Sequence, residues 1–479
     1  LSDLLPAGAG GKQVDFVASG TLASGQTVAL KTDGTVEAVS GVTEGVGAES
    51  VFATVISNYN AAAYDSTNNK VVICYQDNNN SGYGMAVIGT VSGTSISFGT
   101  AVIFESASSN YISPVYDSTN NKIIIAYQRE VSGVFKGMSI VGTVSGTSIS
   151  FGTAVIFESA TSRFVSAAFD STANKIIINY RDDGNSSYGT AIVGTVSGTS
   201  ITFGTAVVYN SGECERQNTV YDSNANKTVI LYTDTSNSYQ GTAIIGTVSG
   251  TSISFGTEVV FNAAVTNWIS ATFDSANNKV VIAYQDEGNS QYGTAIVGTV
   301  SGTSISFGAA TVFESAGTEY VSATFDSSVN KVVIAYRDSP NVDRGTVIAG
   351  TVSGTSISFG SAVVYNSGVT SYVTATFDST ANKVVIAYRD QGNSNYGTGI
   401  VFTVGSTNNT SFIGITDAAI SSAASGSVTI KGGISSNVSS LTPNATYYVQ
   451  TDGTLTTTSS SVLAGKALSS TSINLDYTT

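Results

Sequence analysis

Histidine is missing altogether from this 479-residue sequence. Without an imidazole there is no Ser-His-Asp triad, no histidine general base and none of the commonest zinc ligand. Cysteine is nearly as scarce. Cys74 and Cys214 fall at different places in different repeats, without C-x-x-C spacing, which excludes a zinc site and reads most simply as two free, semi-buried thiols. Charged residues make up only 11% of the chain, no run of Lys or Arg occurs, and the net charge is −14. A phosphate backbone would be repelled, so nucleic acid is not expected as a partner. No apolar stretch approaches the roughly 20 residues that span a bilayer, so membrane insertion is not expected either. The opening Leu1-Ser-Asp-Leu-Leu-Pro-Ala-Gly8 lacks the basic and apolar regions of a secretory signal. Four prolines among 50 glycines, with many Val, Ile, Tyr and Thr, read as sheet and not as disorder.

What the sequence does have is repetition, which takes precedence over every other pattern. The phrase Gly-Thr-Val-Ser-Gly-Thr-Ser-Ile-Ser/Thr-Phe-Gly starts at Gly89, Gly142, Gly194, Gly246, Gly298 and Gly350, a spacing of 52 or 53 residues. A second phrase, Tyr/Phe-Asp-Ser-x-x-Asn-Lys, starts at Tyr64, Tyr116, Phe169, Tyr221, Phe273, Phe325 and Phe377. Each repeat reads as four strands. In the sixth they are a, Tyr320 to Phe325; b, Lys331 to Arg337; c, Gly345 to Val352; and d, Ser356 to Tyr365. Asp and Asn in the a–b link and Gly354 in the c–d link supply turn chemistry. Four antiparallel strands per unit are the signature of propeller blades. After Val401-Phe-Thr-Val404 the seventh strand d is degenerate, while Glu49-Ser-Val-Phe-Ala53 aligns with the missing half, so an N-terminal strand is expected to close the ring. The fold class is therefore all-β: a seven-bladed β-propeller over 48–411, inserted into a small discontinuous β-barrel or sandwich.

The two halves of that small domain are 1–47 and 412–479. The first contains Gln26 to Val36, strand, turn, strand; the second contains Gly426 to Gly433, Tyr447 to Leu455, Val462 to Lys466 and Ile473 to Leu475. Neither has enough strands for its own core. The opening Leu1 to Gly8, the blade phrase, and the tail Leu441-Thr-Pro-Asn-Ala-Thr-Tyr-Tyr-Val-Gln-Thr-Asp-Gly-Thr-Leu455 together resemble virion structural proteins of marine tailed bacteriophages, notably cyanophages. The resemblance covers nearly the whole chain. It implies a tail fibre, appendage or capsid-decoration role, a virion location reached by lysis, and other virion proteins as partners through the small domain. Fibre proteins are often homo-trimers, and the two halves could then dock on neighbouring subunits.

Within a propeller the a–b and c–d turns lie at the bottom and the b–c and d–a connections on top. The bottom turns are nearly identical between repeats, whereas the top connections differ, as in Gln128 to Lys136 beside Arg337 to Arg344. Divergence on one face of a fixed scaffold points to blade-specific contacts or to drift in exposed loops. Because the chain enters and leaves the propeller at the bottom, the variable face is expected to point away from the small domain. Five residues before each Tyr/Phe-Asp phrase stand Tyr59, Tyr111, Phe164, Arg216, Trp268, Tyr320 and Tyr372, aromatic in six of seven. At the mouth of the channel they would either stack on a host-surface glycan or pack between blades. A second aromatic set, Tyr83, Phe135, Tyr188, Tyr239, Tyr292 and Tyr396, ends the b–c loops and reads as structural. The loop aspartates Asp77, Asp182, Asp234, Asp286, Asp338 and Asp390 read as turn caps, since an EF-hand-like loop would need more acids. No catalytic residue, metal or cofactor is assigned: the Asp of Tyr/Phe-Asp recurs in all seven repeats and so marks the repeat, not an acid–base pair. Two functions remain, a receptor- or glycan-binding appendage and an architectural virion component without a ligand.

Overall fold

The computed structural model describes residues 12–339 and 341–475. The opening Leu1 to Gly8 phrase lies outside them. The described residues form strands and four short 3-10 turns, with no α-helix. They fall into two compact units, 45–404 and 12–44 with 405–475.

The larger unit is one 28-stranded antiparallel sheet in which nearly every strand pairs with the next in sequence. It closes on itself. Tyr396–Thr403 pairs with Gly45–Val46 and with the start of Ser50–Asp65, placing Thr398 opposite Val51 and Gly397 opposite Ala53. The reason for a ring lies in the b strands. Lys175–Asp182, for example, carries Ile176, Ile177, Ile178 and Tyr180 with no exposure on either face. A continuous apolar run of this length needs cover on both sides, and the neighbouring repeats supply it. Each buried b-strand tyrosine meets an aromatic of the preceding repeat, as Phe157 meets Tyr180 at 5.2 Å and Phe313 meets Tyr336 at 5.3 Å. The outermost strands alternate instead: of Ser-Ile-Ser-Phe at 304–307, only Ile305 is buried.

One expectation is corrected. The d and a strands of successive repeats are not joined by a loop but are a single 16-residue strand, such as Val363–Asp378. Its first part pairs with strand c of the sixth repeat (Val347 opposite Val363, Gly345 opposite Asn366), and its last part with strand b of the seventh (Thr370 opposite Asp390, Asp378 opposite Lys383). The short strand Ser356–Phe359 is a separate piece that pairs with the far half of strand c. The backbone stays extended across the gap because bulges, not a turn, absorb the change of partner. The cysteines also differ from expectation in degree. Both are fully buried, and burial pushes both thiols well above their ordinary pKa.

The smaller unit holds two five-stranded sheets. In the first, Gln13–Val17 pairs with Ser425–Ile430, which pairs with Phe412–Thr416, which pairs with Thr27–Leu30. The second is built from 434–475 alone. A shared core draws Ala29, Phe412 and Ile415 from one sheet and Tyr447, Ala464 and Ile473 from the other. The division between units falls at 44/45 and 404/405, a few residues from 47/48 and 411/412. Gly41–Val42 pairs with Ser406–Thr407, while Gly45–Val46 pairs with Phe402 and Thr403.

Candidate functional site

The seven ring residues sit at a bulge in the long strands. In the first repeat Asn58 lies opposite Gln76 and Ala61 opposite Cys74, so Tyr59 and Asn60 together face only Tyr75. The same shift occurs in every repeat. At each bulge the ring residue is left-handed: Tyr59, Tyr111, Phe164, Arg216, Trp268, Tyr320 and Tyr372 all have φ between 47° and 53°. A bulge of this hand ordinarily takes glycine. A bulky L-residue there costs roughly 1–2 kcal/mol, and the chain accepts that cost seven times. The seven residues at these bulges line one cavity.

Around the cavity the side chains meet. Tyr59 contacts Tyr372 and Tyr111 with centroids 5.4 Å apart, Tyr111 contacts Phe164 at 5.0 Å, Tyr320 contacts Tyr372 at 5.4 Å, and Trp268 contacts Tyr320 at 4.3 Å. The Arg216 guanidinium lies 5.4 Å from the Trp268 ring. All seven are half-buried and line one axial cavity of about 410 Å³. The contacts between ring residues of successive repeats are the packing expected as one alternative, and the same residues border the cavity. Beneath the aromatics the next residues form a second tier of Ile112, Val165, Ile269, Val321 and Val373, interrupted by Asn60 and Gln217.

Around the ring runs a polar belt that repeat spacing did not reveal. Gln76 accepts from Asn58 (3.1 Å) and donates to Asn110 (2.7 Å), which donates to Gln128 (3.1 Å), which in turn donates to Ser162 O. Where the b strand carries arginine instead, the guanidinium also stacks over the ring residue of its own repeat: Arg181 over Phe164 at 5.7 Å, Arg337 over Tyr320 at 5.1 Å, Arg389 over Tyr372 at 4.9 Å. Arg389 closes the belt by donating to Asn58 (2.7 Å). An alignment of the repeats on this b-strand position, always Gln, Arg or Thr, would have flagged it.

Burial, with Tyr111 and Tyr372 adding to it, pushes Tyr59 up to about 12. Burial raises the b-strand tyrosines in the same direction. Below pH about 10 these phenols are neutral folded or unfolded and contribute nothing. Between about 10 and 12 the unfolded chain sheds protons that the folded one keeps, so the unfolded state binds fewer and stability falls as pH rises. The tyrosinate absorbance of the buried tyrosines should therefore appear together with loss of circular dichroism in one cooperative alkaline transition, after any earlier signal from exposed phenols such as Tyr239. Ionisation of every tyrosine before the circular dichroism changes would contradict the burial described.

The left-handed backbone predicts an inverted order of substitutions at Trp268. Trp268→Ala and Trp268→Gly lose the same ring contacts, but glycine alone is free of the φ penalty. Trp268→Gly should be the more stable of the two by about 1 kcal/mol, the reverse of an ordinary strand position. Denaturant titration of both variants decides it.

The remaining positions sort as follows. Asp182, Asp234 and Asp286 accept from backbone amides of Gly184 (3.0 Å), Asn237 (3.2 Å) and Gly288 (3.0 Å), which is turn capping. Tyr83, Phe135, Tyr188, Tyr292 and Tyr396 face the end of strand b, opposite Asp77, Glu130, Asp182, Asp286 and Asp390. Tyr239 does not belong with them: Gln240 takes the place opposite Asp234, and Tyr239 is half exposed one residue outside. At the other end of the strands Asp65 accepts from the amides of Thr67 (3.1 Å) and Asn68 (2.9 Å), and Thr67 meets Tyr116 of the next repeat at 2.5 Å. No carboxylate is among the described residues that line the cavity.

No protein family matches the sequence, and no curated protein does. Solved structures match by shape. The BP39L lectin from Burkholderia pseudomallei superposes with a TM-score of 0.55 at 10% identity, covering 74% of this chain and 98% of that one. The Cps50 (Swd1) β-propeller domain from Myceliophteria thermophila reaches 0.49 at 9% identity, over 76% of this chain and 100% of its own. At such identities the likeness is one of fold: a large, propeller-like ring of antiparallel strands.

Proposed function

We propose that this chain is a seven-bladed propeller carried on a small discontinuous β domain, and that it serves as a saccharide-binding appendage of a phage-type virion. In this reading the aromatic mouth of the axial cavity holds the end of a host-surface glycan, and the small domain joins other virion proteins. The observation that carries the binding half is the ring of left-handed aromatics around the cavity. Stacking faces are what pyranose rings use, and seven costly backbone conformations that converge on one cavity are hard to account for by packing alone. The virion half rests on the sequence resemblance. The architectural alternative keeps support from the ring-to-ring contacts, which would stabilise a propeller that binds nothing.

The chain's single tryptophan, Trp268, stands in the ring and reports on it directly. Titration with methyl glycosides of galactose, glucose and N-acetylglucosamine should shift its emission at millimolar concentration, in the range of weak single-site binding. Trp268→Ala should abolish the same binding when followed by calorimetry. If neither these sugars nor their acidic derivatives change the emission and calorimetry is flat, the saccharide reading fails and the architectural one stands.

A further inference from the structure

Neither the ring nor the tier beneath it is symmetric, and their polar exceptions face one cavity. Six of the ring's seven residues are aromatic; the seventh is Arg216, the one charged residue among the described residues that line the cavity. The other arginines nearby are already engaged. Arg163 and Arg181 share Asp183, both at 2.7 Å, and Arg181 also meets Glu213 (2.9 Å) and Glu215 (3.1 Å). Arg337 is paired with Glu319 and Asp343. Arg389 has its guanidinium on Asn58 and Ser371. Arg216 has the Trp268 face and no carboxylate among the described residues. A half-buried guanidinium in that state favours an incoming anion, because the ion pair it would form is shielded from water and binds through charge-assisted hydrogen bonds.

The second exception lies one tier deeper. Where five repeats place Ile or Val, the first places Asn60, only 7% exposed, and neither its Oδ1 nor its Nδ2 has a hydrogen-bond partner. An orphaned buried amide is destabilising, and nearly all such groups in folded proteins are satisfied. Gln217, the other polar residue of this tier, is satisfied by Phe164 O and the Arg181 amide. Both polar atoms of Asn60 are shielded from solvent, so Asn60 can offer its donor and acceptor to a sugar hydroxyl only once the side chains that cover it shift.

Resting on the saccharide reading, we infer that the axial cavity selects an anionic sugar, with its carboxylate or sulfate on Arg216 and a ring hydroxyl on the amide of Asn60. The overall charge of −14 does not oppose this, since charges beyond about 8 Å are largely screened at physiological salt, and Asp183, Glu213 and Glu319 are each paired with an arginine while Glu287 is held by Asn267.

The repeats themselves supply conservative variants. Arg216→Tyr restores the residue common at that place in the ring, and Asn60→Val the aliphatic common beneath it, so both should fold. Affinities are measured by calorimetry on the full chain for methyl galactoside and methyl glucoside, their uronates and their 6-sulfates. The wild type should bind an acidic form about tenfold more tightly than its neutral parent, equivalent to about 1.4 kcal/mol. Uronate preference points to a carboxylate sugar and sulfate preference to a sulfated one. Arg216→Tyr should erase the preference, so that acidic and neutral forms bind it with equal affinity, while Asn60→Val should weaken all forms alike. Equal or weaker binding of acids by the wild type, or a preference that survives in Arg216→Tyr, overturns the inference and leaves the saccharide reading intact. No binding of any sugar removes both.

Discussion

Phe52→Ala is expected to lower the unfolding free energy by about 3–5 kcal/mol, the usual range for a buried aromatic truncated in a core, and to make the protein self-associate. Phe52 belongs to the strand that closes the ring. It packs on Tyr75 at 5.4 Å and Phe98 at 5.6 Å, and its ring covers Gly397 of the strand from the far end of the sheet. In every other repeat strand c runs on, through the short strand after it, into the long strand that pairs with it. Here Tyr396–Thr403 and Ser50–Asp65 come from opposite ends of the unit and are held together only by hydrogen bonds and packing. Weakening it should expose the edge of Tyr396–Thr403, and an unpaired edge recruits other chains. Phe157→Ala is the control, since Phe157 has the same burial and the same kind of tyrosine partner inside the ring. It should cost similar stability without association. Light scattering below the unfolding transition separates the two, and equal scattering would show that the closure is no weaker than the other junctions.

Gly204→Ala is expected to destabilise by about 1–3 kcal/mol or more, as overpacking does where the obstacle cannot move. The glycine that ends the Phe-Gly phrase has ordinary backbone angles and so is not required for a turn. It is required for space: a Cβ on Gly204 would fall on the carbonyl oxygen of Thr251 in the next repeat, and Gly99, Gly152, Gly256 and Gly308 meet the equivalent backbone in the same way. A backbone carbonyl in a tight turn cannot yield as the end of a side chain does. Gly93→Ala provides the contrast, because nothing lies within reach of a Cβ there, yet its φ of 61° carries the left-handed cost instead. A Gly204→Ala protein as stable as the wild type would mean that neighbouring repeats are not in backbone contact.

The all-β, propeller-like character was legible because two phrases recur with strand-length apolar runs between them, and a run such as Ile176-Ile177-Ile178 cannot be left half exposed. The ring positions were legible as equivalents by their fixed distance from Tyr/Phe-Asp. Their left-handed backbone was not, since glycine is the residue that signals it and aromatics stand in its place. The continuous strand was missed for a related reason. Segments such as Asn366-Ser-Gly368 carry turn chemistry, and the Asn366 side chain does accept from the Gly368 amide at 2.5 Å, but here that local bond serves a bulge inside a strand. Asn60 could have been found by stacking the repeats and asking which one breaks an aliphatic column.

The 16-residue strands have a consequence for how such a chain can change over generations. Each lends half its length to one repeat and half to the next, so no cut in the sequence isolates a finished unit, and equally no cut is privileged. Duplication or loss of any window one repeat long, wherever it begins, restores every pairing it interrupts. Recombination between near-identical repeats is thereby free to alter the number of copies without designing a new junction. The circumference of the ring, and with it the width of the axial cavity, becomes a heritable variable separate from the residues that line it.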